Sequence, residues 1–319
     1  MVTAARVRVV RPSRFLAICY YGAVVGLLIA ALFLWRPLTF QRLYARARLA
    51  IAGAHQGMAQ AGSYRIHYYV AGSGRPIVLL HGLGGDALFW ADYVPHLAQQ
   101  GRVYAIDLLG FGSSDRPDVD YRATTQAQVV HDFLDSQNIQ QADLLGISMG
   151  GFVALHVARQ WPHRVRRLVV ADSAGIIFDP NAPQPPFPQD EQRFRRFMTP
   201  KRSSMPPFVV RDMLRRMRAQ QRIIDRVLQN RSSGKDYLDG QLQAVNMPVL
   251  LVWGEQDMLT PLSWGTALHQ QIPQSVLVVL QGCGHIALYD CRQQAFPEIQ
   301  GFLSSPKPET GGVRTVPPR

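Results

Sequence analysis

Gly146-Ile147-Ser148-Met149-Gly150 places a hydroxyl between two glycines, after an apolar run and before an amphipathic one. This is GxSxG in the strand–turn–helix context that the pattern requires. Glycine on both sides lets strand and helix pack where a Cβ would clash, and the sharp turn projects the Ser148 oxygen. A serine hydroxyl is a weak nucleophile unless a base takes its proton, so the chemistry calls for an imidazole backed by a carboxylate. The chain has nine histidines. Of these, His285 in Gly282-Cys283-Gly284-His285 stands just beyond a late apolar run. His55, His67, His131, His156 and His163 read as bystanders, and His269 falls within a helical segment. Asp257, in Trp253-Gly254-Glu255-Gln256-Asp257, follows another apolar run and can hold the imidazole in its proton-accepting tautomer; Glu255 and Asp172 are rival acids. His81-Gly82-Leu83-Gly84-Gly85 is a glycine turn that can aim the Leu83 N–H at the point reached by the Met149 N–H, giving a two-donor oxyanion hole. Cys283 lies only two residues from His285 on one loop, a poor position for a nucleophile. These residues predict acyl transfer through a covalent serine intermediate, with no metal and no organic cofactor.

Such side chains need a scaffold that brings distant loops together. Apolar runs at Ile77–Leu80, Val103–Asp107, Asp143–Ile147, Arg167–Ala171, Val249–Trp253 and Val276–Leu280 alternate with amphipathic stretches. The helices are expected at Trp90–Gln99, Thr124–Gln137, Met149–Gln160, Ser263–Gln271 and Cys291–Leu303, and Tyr64–Ala71 is expected to open the sheet with a hairpin partner. Short apolar strands between helices predict an α/β fold with a mostly parallel, doubly wound sheet covered on both faces. Ligands in such sheets sit beyond the carboxyl ends of the strands, where the candidate residues fall. The loop Asp107–Ser114 reads as support for the cleft wall.

The formal net charge is +12 over 319 residues, unevenly placed. Residues 1–48 carry eight Arg and no acid, and residues 176–245 carry thirteen basic and seven acidic side chains. No zinc-finger, RRM or basic-zipper pattern accompanies this charge, so we expect no nucleic-acid partner. With 47% hydrophobic residues the chain is not mostly disordered, and three cysteines cannot form a disulfide scaffold. Phe15–Trp35 is 21 residues without a charge. As a helix it would be roughly 30 Å long, the thickness of a hydrocarbon core. We read it as a single-pass membrane anchor; a cleaved signal peptide, whose apolar region is shorter, is the rival reading. Arg on both flanks leaves the orientation open.

HGLGG, DLLGFGSSD, GISMGG, WGEQD and GCGH occur in the order, and at spacings similar to those, of the α/β-hydrolases. From about Tyr64 to Leu303 the chain resembles that superfamily. Its combination of an anchor with GxSMGG is similar to membrane-bound monoacylglycerol lipases and bacterial lipases. Carbon–carbon bond hydrolases and cofactor-free perhydrolases share GxSMGG, whereas the Asp nucleophile of haloalkane dehalogenases and epoxide hydrolases is absent. The resemblance implies Ser148, Asp257 and His285 as the catalytic set, with a helical cap inserted after residue 175.

The expected organisation is an anchor with its basic flank (1–36), a juxtamembrane linker or helix (37–63), a hydrolase core in two parts (64–175 and 246–303), a basic cap (176–245) and a disordered tail (304–319). The helix after the anchor either lies on headgroups or is a solvated linker. The cap begins Pro-rich, then shows an amphipathic helix pair over Val209–Leu228 whose Arg-rich rim could meet anionic lipid or merely close the site. Cys283 is expected as a buried free thiol rather than as a partner of Cys291. The function expected is ester hydrolysis on a lipid or other apolar substrate such as a monoacylglycerol. The alternatives are carbon–carbon hydrolysis of a dienoic acid and lipid binding without turnover.

Overall fold

The computed structural model describes residues 14–174, 188, 190–198, 206–232 and 234–318. Its strands are β1 (His55–Ala61), β2 (Tyr64–Ala71), β3 (Pro76–Leu80), β4 (Arg102–Ile106), β5 (Ala142–Ile147), β6 (Val165–Ala171), β7 (Val249–Gly254), β8 (Val276–Leu280) and β9 (Val313–Val316). They form one sheet in the order β1-β2-β4-β3-β5-β6-β7-β8-β9. Only the β1–β2 and β2–β4 pairings are antiparallel. Strands made of Val, Leu and Ile have no polar face to offer solvent, so both faces must be covered. Alternation sends successive side chains to opposite sides. Ile77 and Leu79 enter one core, and Val78 and Leu80 enter the other.

The helices are α1 (Arg14–Trp35), α2 (Pro37–Ile51), α3 (Val94–Leu97), α4 (Ala123–Ser136), α5 (Met149–Gln160), α6 (Glu191–Met198), α7 (Pro207–Arg218), α8 (Gln221–Ser232), α9 (Leu262–Gln271), α10 (Ala287–Asp290) and α11 (Arg292–Ser304). Phe133 of α4, Val153 of α5 and Leu268 of α9 belong to one core; Leu97 of α3 and Phe302 of α11 belong to the other. The chain runs from β3 outward to β4 and then back past β3 to β5. Loops leaving β3 and β5 therefore open a crevice at their carboxyl ends, where this sheet type binds ligands.

Several expectations need correction. The segment 37–63 is not a free linker. Helix α2 docks through buried Ala45 and Leu49, with Arg42 on Asp86 and Arg48 3.5 Å from Asp92, and β1 then joins the sheet. Its outer side leaves Leu43, Tyr44 and Ile51 exposed. The helix expected over Trp90–Gln99 is a 3₁₀ turn, Ala87–Asp92, followed by the short α3. Pro95, lacking an N–H, can stand only in the first turn of α3, so a continuous helix cannot run through it. The tail is not disordered throughout, because β9 pairs in parallel with β8. Cys283 is not a free thiol. The turn of α10 carries Cys291 back over the loop, the Cα atoms lie 6.1 Å apart, and the two sulfurs are bonded. That separation is within bridging range.

Helix α1 is long and apolar enough to cross a membrane, and its Ile18–Trp35 window is wholly unburied. Between β6 and β7 stand α6, α7 and α8; the helix pair expected over Val209–Leu228 is present as α7 and α8, separated at Ala219-Gln220. Most of the Pro-rich start of this insert lies outside the described residues. Part of its Arg rim is already engaged: Arg216 lies on Asp86, and Arg222 and Arg226 on Asp118.

Candidate active site

Strand β5 ends in a turn that only certain residues can make. Ser148 has φ +54°, a left-handed conformation imposed by the strand-to-helix reversal. A Cβ on Gly146 would lie 2.3 Å from the Gly150 carbonyl oxygen, and one on Gly150 would lie 2.2 Å from that of Leu80. Both contacts are impossible, so the two glycines are required by the packing of β5, β3 and α5. Ser148 N–H donates to the Ala171 carbonyl at 2.9 Å, which fixes the turn to β6.

The loops after β7 and β8 meet this serine. His285 Nε2 lies 3.0 Å from Ser148 Oγ, and its Nδ1 lies 2.8 Å from Asp257 Oδ2. An ionised carboxylate only accepts, so Nδ1 carries the proton and Nε2 is free to accept one. Asp257 Oδ1 accepts from Leu259 N–H and Thr260 N–H, both at 2.8 Å, and Oδ2 accepts from Thr260 Oγ1 at 2.6 Å. Those three donors and the imidazole stabilise the negative charge on a side chain that is fully buried. The structure thus brings Ser148, His285 and Asp257 into one hydrogen-bonded chain.

Asp172, the rival acid at the end of β6, does not reach the imidazole. Its carboxyl accepts from Gly254 N–H at 2.8 Å and faces Ala287 N–H at 3.3 Å. Complete burial, and then the neighbouring charge of Asp257, push its pKa well above the ordinary carboxylate value. Asp172 braces the β7 end against the start of α10. Glu255 accepts from Gly282 N–H at 3.0 Å at the loop surface. Four of the other histidines are engaged elsewhere: His67 on Asp107, His131 stacked on Trp161, His156 on the Asp236 carbonyl and His269 on Ser275.

Leu83 and Met149 line the same cleft as Ser148. Gly85 N–H donates to the Gly82 carbonyl at 3.0 Å, with Gly84 at φ +74°, so residues 82–85 form a tight turn. That bond does not use the Leu83 N–H. His81, fully buried, accepts from Leu108 N–H through Nε2 at 3.0 Å and donates from Nδ1 to the Gly82 carbonyl at 2.8 Å, which anchors the turn. Met149 is the first residue of α5, where backbone N–H groups lack helical partners. Asp107 binds Ala87 N–H, Ser113 N–H and His67, so the loop after β4 supports the cleft wall, as its sequence suggested.

The sequence reading missed Thr260. Its hydroxyl sits 3.1 Å from His285 Nδ1 and 3.1 Å from the Asp172 carbonyl as well as on Asp257. An Asp followed by hydrogen-bonding residues two and three positions on is an Asx-type turn, and Asp257-Met258-Leu259-Thr260 carried that signal. The cleft is mostly apolar, with Phe152, Val153, Val227, Leu228 and Leu259 among its walls, and Gln126, Asn230 and Asp236 also line it.

Known proteins resemble this chain over most of its length. A 2-hydroxymuconate semialdehyde hydrolase of Pseudomonas sp. (strain CF600) is 30% identical over 247 residues, 70% of this chain and 85% of that protein. A solved bacterial membrane phospholipase A superposes with a TM-score of 0.73 at 24% identity, covering 90% of this chain and 98% of the other. A serine hydrolase involved in carbazole degradation superposes with a TM-score of 0.69 at 25% identity, covering 79% of this chain and 99% of the other. The profile of the alpha/beta hydrolase family matches residues 77–298, and this chain belongs to that family.

Proposed function

We propose that the protein is a serine hydrolase that cleaves carboxylic esters of apolar, monoacylglycerol-like substrates and is held at a membrane by α1. The observation that carries the reading is the unbroken chain from Ser148 Oγ through His285 to Asp257. Ser148 attacks the acyl carbonyl while His285 Nε2 takes its proton. Asp257 orients the imidazole and stabilises the imidazolium. The Leu83 and Met149 N–H groups receive the oxyanion of the tetrahedral intermediate. His285 then protonates the leaving alcohol, and the same nitrogen activates the water that releases the acid.

Apolar cleft walls support an acyl chain over a polar substrate. The helices between β6 and β7 act as a lid, since Val227 and Leu228 of α8 form part of those walls. The Cys283–Cys291 bond supports a hydrolase body facing an oxidising compartment. A second reading, carbon–carbon hydrolysis of a dienoic acid, is favoured by the 30% identity to the semialdehyde hydrolase. Against it, no Lys or Arg is found among the described residues lining the cleft, so a substrate carboxylate would meet no cation there.

The test is turnover in detergent of p-nitrophenyl esters of graded chain length beside a ring-cleavage dienoate. Ester turnover and fluorophosphonate labelling are expected in the wild type and should vanish in Ser148→Ala. Faster turnover of the dienoate would reverse the order of the two readings. Removing residues 1–36 is expected to release the protein from carbonate-washed membranes.

A further inference from the structure

Asp86 closes the glycine turn His81-Gly82-Leu83-Gly84-Gly85, and its surroundings are unlike those of an ordinary helix cap. It is buried, and its Oδ1 accepts from Leu88 N–H at 3.1 Å, capping the turn that follows. Its Oδ2 is bound by two guanidinium groups from elements outside the sheet. One is Arg42 of α2; the other is Arg216 of α7, at 3.1 Å. Burial alone would raise the Asp86 pKa, but the charges of Arg42 and then Arg216 overcome it and hold the carboxyl below the ordinary range. Asp86 is therefore ionised, and its charge is shared between two arginines.

Those two helices are joined to each other. Asp212 of α7 is almost wholly buried and accepts from Leu38 N–H of α2 at 3.1 Å. It also lies 3.2 Å from the guanidinium of Arg36, the residue between α1 and α2. Arg215 reaches back to the Trp35 carbonyl at 3.3 Å, and Phe33 of α1 packs edge-on against Phe208 of α7. On the third side, α7 and the residues after it sit on the glycine turn. Met217 lies 3.5 Å from where a Gly84 Cβ would be, and Gln220 Nε2 donates to the Gly84 carbonyl at 3.5 Å. The glycine turn, α2 and α7 thus form a closed triangle, each side made by at least one polar contact.

We propose that Asp86 is a positioning residue for the oxyanion turn, and that Arg42 and Arg216 set it, so that the Leu83 donor is in place only when α7 is seated against α2. The inference rests on the reading of Leu83 as an oxyanion donor. A glycine turn has little stiffness of its own. It is fixed at the His81 end by Leu108 and at the other end by Asp86. Withdrawing α7 removes Arg216, Met217 and Gln220 from the turn together. The seating of the insert then governs catalysis as well as access.

The test uses the full chain in detergent, with active sites counted by fluorophosphonate titration. Asp86→Asn keeps an acceptor for Leu88 N–H but loses the charge held by both arginines. Misplacing a donor costs less than deleting it, so kcat per titrated site should fall roughly 10-fold to 100-fold, with KM changed by less than about threefold. The inhibition constant of an alkyl boronic acid, whose Ser148 adduct puts an oxygen in the hole, should rise by a similar factor. Arg42→Gln and Arg216→Gln should each lower kcat severalfold, and Arg216→Gln should add almost nothing to Asp86→Asn. A lower melting temperature with unchanged kcat and boronate affinity in Asp86→Asn would overturn the proposal, as would full additivity of the two changes. Turnover that survives Ser148→Ala would instead overturn the reading on which the proposal rests, whatever Asp86 does.

Discussion

Two buried aspartates stand at neighbouring strand ends, and changing each to asparagine should have opposite consequences. In Asp257→Asn the amide oxygen can still accept from Leu259 and Thr260 N–H, as Oδ1 does at 2.8 Å. The amide NH₂ then faces His285 Nδ1 at the 2.8 Å now spanned by the carboxylate. Two donors cannot share that bond, so Nδ1 becomes the acceptor and the proton moves to Nε2. Ser148 loses its base. A wrong tautomer of this kind costs about 10⁴ in kcat, or about 5.4 kcal/mol of barrier. Asp172→Asn replaces a carboxyl whose raised pKa favours the neutral form with a neutral amide. The oxygen on Gly254 N–H is retained, and only the long 3.3 Å approach of Ala287 N–H is lost. The expected effects are a loss of about 1 kcal/mol of stability at pH below the ordinary carboxylate value and less than about a threefold change in kcat. Single-turnover acylation by a p-nitrophenyl ester, normalised to folded protein, measures both. The reasoning fails if Asp172→Asn slows acylation as much as Asp257→Asn, or if Asp257→Asn loses less than about tenfold.

Asp172 also predicts a pH dependence. Its folded pKa is raised, so its stability contribution is whole below the ordinary carboxylate value and declines as pH rises toward the folded pKa. Asp172→Asn should flatten denaturant-derived stability against pH in that window by up to about 1.4 kcal/mol per pH unit; parallel curves would argue against a neutral Asp172. His156 has the opposite sign. Burial pushes its pKa down to about 4, so stability present above about 6.5 is lost as pH falls toward 4, by about 3 kcal/mol, and His156→Gln should remove that part of the decline. Reduction of Cys283–Cys291, eight residues apart, should cost roughly 2–3 kcal/mol, visible as a lower melting temperature with dithiothreitol; an unchanged melt would show that the bond contributes nothing. Gly146→Ala should abolish fluorophosphonate labelling, because its methyl would meet the Gly150 carbonyl oxygen at 2.3 Å; an undiminished rate would contradict the turn geometry.

Much of the site was legible because the chemistry-bearing residues adjoin glycines and follow apolar runs in the linear sequence. Ser148, His285 and Asp257 each occupy such a place, and the strands before them are buried runs whose type is unambiguous. The choice of Asp257 over Asp172 rests on a distance that no local pattern encodes. Thr260 carried only the local turn signal, since its importance lies in reaching three partners contributed by separate loops. Strand β9 was missed because Val313-Arg314-Thr315-Val316 is short and half polar, and the free edge of β8 supplies the pairing that composition does not. Helix α2 was legible as a helix, but not its docking, because its anchoring partners, Asp86 and Asp92, are about forty residues away in the chain.

Strand β9 ties the base of the His285 loop to a late stretch of chain. Gln281 N–H donates to the Val316 carbonyl at 3.0 Å, and Gln294 Nε2 donates to the same oxygen at 3.0 Å, on either side of the loop that carries His285. Chains fold progressively as they leave the ribosome. Helix α1 is made well before the sheet is complete, and β9 (Val313–Val316) is made only after β8 (Val276–Leu280), so the edge of β8 is closed by the last of the described strands. On the proposed reading, α1 engages the bilayer while the polypeptide is still growing, and hydrolytic competence waits until β9 supplies a floor to the His285 loop.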